Sequence, residues 1–399
     1  MIRKGHHSSL FGHLALSFIL LASLNACEKN PVSEQDRRPI PSDIPIAFGT
    51  RTSVETKGQH PLISYDLLAD QRFSVSAWYT PEGEFFSPSS VCYFQNHQFG
   101  TLDKDHFTLW QGTIGSGAAE AADPVYYPLD GTLSYFCYAP YRSDVTSDES
   151  DVKIIYAPES SLTDLLPNYL PGSPILRFKP SNSVSDLIDF IAAKPMLDVD
   201  RHSGAVELDF TEHMTTAIEF HVKYQGAAGA VGPSEVITVP SISLRNVIGA
   251  EYMYYTLSGG ILGRAWSSNV PPDGAAEMPR ATYTLTSSDL KGDNLDTVTP
   301  LFVNNTLNGR LYLLPQVLPP DSYLDITYNV KAAGIAGTVL DENIVSFPLY
   351  GTQDWPQGKK IIYTITITIA KRSEVAITNV QVVDWTDSNN NHDEQEITF

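Results

Sequence analysis

The chain has 399 residues, of which 26 are basic and 46 acidic, for a formal net charge of −20. That balance excludes nucleic-acid binding by charge, and solubility with mutual repulsion explains it more simply than cation binding does. The length exceeds the usual size of a single core, so two domains are expected.

The first 26 residues read as an export signal, with a basic start at Arg3 and Lys4, an apolar run from Leu14 to Ala22, and small residues before Cys27. The apolar run is too short to span a bilayer. Leu24, Asn25, Ala26 and Cys27 resemble the bacterial lipobox, whose cysteine takes a diacylglyceride on sulfur and becomes the new N-terminus. The expectation is a signal peptide over 1–26 and a lipid anchor at Cys27, since acyl chains bury about 0.8 kcal/mol per methylene. From Glu28 to about Ser42, Pro, Ser and charged residues predominate, a composition suited to a flexible tether. Ile44, Ile46 and Phe48 then alternate with Pro45, Ala47 and Gly49, so this leader can lay one apolar face into a sheet while its backbone pairs with an open edge.

Alternation continues along the chain: Phe73, Val75, Ala77 and Tyr79; Leu133, Tyr135 and Cys137; Ile218, Phe220, Val222 and Tyr224; Leu324, Ile326, Tyr328 and Val330. The segment from Ile361 to Ala370 is the clearest, with Ile361, Tyr363, Ile365, Ile367 and Ile369 opposed to Thr364, Thr366 and Thr368. Short strands split by Gly and Pro, with 20 Tyr and 17 Phe, predict an all-β fold of two tandem antiparallel sandwiches. A polar stretch between Pro195 and Gly204 sets the expected boundary, giving domains over 52–200 and 201–399 after a tether and leader over 27–51. The stretches 226–232 and 271–277 read as loops, as does everything after Trp385. Cys92 and Cys137 could be bridged or free; sequence alone leaves both open.

No chemistry-bearing motif emerges. The histidines lack an HExxH spacing, the stretch from Gly112 to Gly117 lacks the Lys-Ser/Thr end of a phosphate loop, and no serine elbow is present. Asp387, Asn389, Asn391 and Asp393 alternate like calcium ligands, but an EF-hand would need Gly and Glu where His392 and Thr398 stand. The reading is therefore no enzyme, no catalytic residues, no metal and no cofactor.

Several stretches together resemble the fimbrillin-like family, the lipoprotein pilins of type V pili in Gram-negative bacteria. These are the lipobox, the PIAFGTRTS leader around Arg51, the aromatic run Tyr127 to Pro140, and the passage from Asp189 to Met196 into Val206 to Phe220. They also include LLPQ at Leu313 to Gln316, and the run from Trp355 to Ile369 that closes on Val382 to Trp385. The resemblance implies transthyretin-like sandwiches assembled head to tail by strand exchange. It further implies cleavage after Arg51 by an Arg-specific surface protease, with Arg37, Arg38 and Lys57 as competing basic sites. Such a cut would remove leader and anchor together and open a groove for a neighbouring subunit's strand, and a head-to-tail joint grows into a filament.

The resemblance implies a donor in the C-terminal region, either Val375 to Trp385, with Val375, Ile377, Val380, Val382 and Trp385 as its apolar residues, or the last strand-like residues, Ile397 to Phe399. The scarcity of apolar side chains after Trp385 points to a tip or accessory subunit in adhesion or biofilm rather than a stalk. The expected location is the outer membrane, and the fimbrium after processing; expected partners are other fimbrial subunits, the protease and the membrane. The alternative is a monomeric surface lipoprotein whose loops bind a glycan on aromatic platforms such as Trp110 or Trp266.

Overall fold

The computed structural model describes residues 39–50, 72–100, 108–109, 124–210, 212–225, 235–286, 299–300, 310–332, 339–368 and 374–384. Among them, helix is confined to short turns at Ser160–Thr163, Val184–Asp186 and Pro272–Gly274. The strands of the N-terminal half are β1 (Pro41–Pro45), β2 (Ala47–Thr50), β3 (Phe73–Thr80), β4 (Val91–Gly100), β5 (Thr108–Leu109), β6 (Tyr126–Pro128), β7 (Thr132–Ala139), β8 (Val152–Ile155), β9 (Ile175–Phe178), β10 (Ile191–Ala192), β11 (Met196–Asp200) and β12 (Ala205–Leu208). Those that follow are β13 (Thr216–Gln225), β14 (Glu235–Ile248), β15 (Glu251–Ser258), β16 (Ile261–Trp266), β17 (Arg280–Thr286), β18 (Thr299–Pro300), β19 (Leu311–Leu313), β20 (Tyr323–Ala332), β21 (Val339–Pro348), β22 (Lys359–Thr368) and β23 (Glu374–Asp384). The fold is all-β and built of packed sheets, as the alternation predicts.

One sheet runs β10–β7–β3–β4–β5, with β11 also paired to β7. Both its faces are covered. Phe73, Val75 and Ala77 of β3, with Leu133, Tyr135 and Cys137 of β7, line one core. Trp78, Phe136 and Tyr138 point to a second core on the opposite face, as the two-residue period requires. Buried serines on that face are satisfied: Ser74 Oγ donates to Asn96 Oδ1 at 2.7 Å, and Ser76 Oγ accepts from the Asn96 N–H at 2.9 Å. Between β6 and β7, Gly131 has φ +68°, and a Cβ there would lie 2.3 Å from the Thr80 carbonyl oxygen, so the turn admits only glycine.

The first face is covered by a layer formed from β1, β2, β6 and β12. The second is covered by the sheet β16–β15–β9–β8, which takes strands from both sides of residue 200. A further sandwich packs β18–β13–β22–β23 against β17–β14–β20–β21, with Ile218, Phe220, Leu324, Ile326, Tyr328, Ile361, Tyr363 and Ile365 inside. Two pairings depart from the antiparallel expectation: β2 with β12, and β13 with β22, run parallel. Each joins strands far apart in sequence, with strands of other sheets supplying the crossover instead of a helix.

The scattered C-terminal motifs meet in space. Gln316 and Trp355 exchange both backbone hydrogen bonds at 2.9 Å, and the Gln316 Oε1 accepts from the Ile248 N–H at 2.7 Å. The Trp355 indole donates to the Tyr363 hydroxyl at 2.9 Å. Cys92 and Cys137 are not bridged to each other.

Candidate strand-exchange site

The leader occupies a slot between two strands. On one side β1 pairs antiparallel with β6, with a register shift between Pro41 and Pro45. The Leu129 N–H donates to the Ile40 carbonyl at 2.8 Å, and the Ile46 N–H to the Val125 carbonyl at 2.8 Å. On the other side β2 pairs parallel with β12, placing Ala47 opposite Ala205, Phe48 opposite Val206, and Thr50 opposite Leu208. Pro41 and Pro45 contribute no N–H, so the β1–β6 ladder has fewer bonds than its length would give.

Side chains, as well as backbone, hold this leader. Phe48 has no exposed surface, Ile46 is 5% exposed, and Ile44 packs partly buried against the same core. The Phe48 ring meets Phe99, Tyr135 and Phe73 edge-on, with centroids 4.8, 5.1 and 6.2 Å away. Phe210, just past β12, closes the floor against Phe73 at 5.6 Å. Burying a phenylalanine side chain is worth roughly 1.5–3 kcal/mol, and each edge-on aromatic pair adds about 0.5–1.5 kcal/mol. Two phenols complete the core: Tyr127 of β6 and Tyr135 of β7, both 1% exposed. The two hydroxyls lie near enough to interact with one another, and among the described residues no other hydrogen-bond partner reaches either. Burial pushes both phenols up from their ordinary value, so each keeps its proton.

Of the other sequence-predicted site residues, Cys27, Arg51 and Trp385 lie outside the described residues, as do the stretches 112–117, 226–232 and everything after Trp385. The expected donor segment forms β23, an edge strand of its sheet among the described residues, paired antiparallel with β22. Ile377 pairs with Ile365, Val380 with Tyr363, Val382 with Ile361, and Val375 with Ile367. A bulge between Thr364 and Ile365 puts Ile377 and Val380 on one face despite their odd spacing. Val380 is buried, while Ile377 and Val382 pack partly buried against the core. The leader and β23 therefore lie in different sheets.

Trp266 corrects an expectation. It is a core residue, not a surface platform: its ring packs on Phe178 and Phe190, and its indole donates to the Met214 carbonyl at 2.8 Å. Trp110 lies outside the described residues. Among the described residues no group of three or more His, Cys, Asp or Glu is placed to hold a metal.

Sequence reasoning found the leader's inward face but not the opposing one. Val206, Leu208 and Phe210 alternate like any strand, and nothing in that pattern says they wall the leader. Tyr127 and Tyr135 belonged to a recognised aromatic run, but only the fold turns their hydroxyls into the leader's core.

No curated protein matches the chain. Among solved structures, a candidate cell adhesion protein from Bacteroides ovatus is 14% identical, with 88% of this chain and 100% of that one covered and a TM-score of 0.45. One from Bacteroides uniformis is 14% identical, with 87% and 100% covered and a TM-score of 0.42. One from Parabacteroides distasonis is 10% identical, with 87% and 98% covered and a TM-score of 0.42. A model of fimbrillin-like proteins matches residues 74–385, a span that includes β6, β12 and β23, and the chain belongs to the fimbrillin-like family.

Proposed function

We propose that this chain is a fimbrial subunit of the tip or accessory kind, exported as a Cys27 lipoprotein to the outer membrane and joined to neighbouring subunits by strand exchange. An Arg-specific surface protease cuts after Arg51, the leader leaves with its lipid, and a strand from another subunit takes its place between β6 and β12. The observation that carries this reading is the leader's position. Its two segments pair in succession with β6 and with β12, and its side chains fill an aromatic core. A cut after Arg51 would free these segments from the body while leaving both partner strands in place. The residues of β23 are the donor candidates for the next subunit, because an edge strand can leave its sheet by breaking a single ladder.

The test is to treat purified precursor with an Arg-specific trypsin-like protease and follow its N-terminus and its size in heated detergent. Strand exchange predicts Thr52 as the new N-terminus and detergent-resistant ladders. A cleaved protein that keeps its leader and stays monomeric would sink the reading.

A further inference from the structure

The leader is a poor chemical match for part of the core it fills. Tyr127 and Tyr135 place two phenolic hydroxyls there, both residues 1% exposed and neither hydroxyl with a hydrogen-bond partner other than its fellow among the described residues. A third phenol close by shows the contrast, since Tyr93 donates to the Tyr126 carbonyl at 2.7 Å. The leader's inward side chains, Ile44, Ile46 and Phe48, are pure hydrocarbon. Buried polar atoms are ordinarily bonded, and leaving one unbonded costs more than a formed bond contributes. A bond between the two phenols would use only one of their two O–H donors, so a strand lacking any acceptor on its inner face leaves at least one donor of this groove unsatisfied.

We propose that the Tyr127 and Tyr135 hydroxyls are a specificity element of the leader groove. They select an incoming strand, supplied by another subunit, that carries a hydroxyl or carboxamide side chain where the leader carries Ile44 or Ile46. The inference rests on the strand-exchange reading and adds to it a reason for exchange to run forward: the leader fits well enough to fold the precursor, and a polar-bearing strand fits better. A hydrogen bond of ordinary strength would favour such a strand about fivefold over an apolar one of the same size.

Valine and threonine have nearly the same shape and differ by a hydroxyl, which makes a direct test available in the uncleaved precursor. Ile44→Val, Ile44→Thr, Ile46→Val and Ile46→Thr are each made in the native chain and in Tyr127→Phe/Tyr135→Phe, with the single Phe variants in reserve should the double fail to fold. Urea unfolding then compares the folded-to-unfolded ratios. At one position or both, the threonine form should lose about fivefold more against valine when the phenols are gone than when they are present. An equal threonine penalty in both backgrounds at both positions would overturn the proposal.

The second arm uses protein cleaved after Arg51 and fluorescent peptides of sequence Pro41–Thr50, native or with Ile44→Thr or Ile46→Thr. Tighter retention of a threonine peptide supports selection. Equal retention of all three removes the selectivity while leaving strand exchange standing. Retention of none overturns the strand-exchange reading, and this proposal with it, even if the precursor cycle shows coupling.

Discussion

Phe48 anchors the leader: its ring has no exposed surface and three aromatic rings meet it edge-on. Phe48→Ala should lower precursor stability by about 3–5 kcal/mol, the usual cost of emptying a buried aromatic site. After cleavage the leader should also dissociate faster than the native one, which release of a labelled N-terminal fragment would measure. A second residue sets a pH response far from the leader. Burial pushes the Glu251 carboxyl up to about 7 from an ordinary 4.5, against the opposing effect of the Ser268 N–H and the Ser267 hydroxyl. The folded chain therefore holds this proton more tightly than the unfolded chain. The stability it contributes is fully present below about pH 4.5 and is lost as pH rises through about 7. Glu251→Gln should flatten that slope, narrowing the stability difference between about pH 5 and about pH 8 by ~2 kcal/mol in urea titrations. At this scale the sequence was half legible. Alternation alone identified Ile46 and Phe48 as inward residues, because a strand's period is two. It could not show Glu251 or Trp266 as buried, since each is covered by segments distant in the chain.

At the scale of elements, the leader slot is defined by pairings on both sides. Ala47 and Ala205 are register partners in the parallel β2–β12 pair, and both are partly exposed. Ala47→Cys/Ala205→Cys should form a bridge that locks the leader in place. The oxidised variant is expected to be cut after Arg51 yet remain monomeric, and reduction should restore ladders to the level of the native protein. Assembly in the oxidised state would show that the slot is not the joint. Strands such as β3, β7, β13, β20 and β22 were readable beforehand because each pairs strict alternation with flanking turns. The β2–β12 partnership was not, as a parallel pair with a long intervening crossover leaves no local trace. The displaced phase of β23 was hidden for another reason: its bulge shifts which residues share a face, and a two-residue period presumes none.

Across the whole molecule, the central sheet packs the leader layer on one face and a sheet of mixed parentage on the other. Tyr255 and Trp266, from beyond residue 200, share a core with Phe136, Tyr138 and Phe178 from before it. The Arg264 guanidinium, with its side chain 1% exposed, donates to the Ala192 carbonyl, and His213 Nδ1 lies 2.7 Å from Asp189 Oδ2. Residues 52–200 and 201–399 expressed separately should therefore each fail to give a cooperative thermal transition, while the intact precursor melts as one unit. A well-folded 52–200 fragment would contradict this. Sandwich class was legible from strand density, but the sharing of strands across residue 200 was not: half of the polar stretch is strand β11, paired with β7, and the short turn after it joins elements packed into common cores. Strand exchange requires the leader to leave, and N-terminal mass spectrometry of the protein taken from the cell surface reads whether it has. Thr52 is expected as the N-terminus of the copies in detergent-resistant ladders. Surface protein found only as a monomer that begins at lipidated Cys27 would rule strand exchange out.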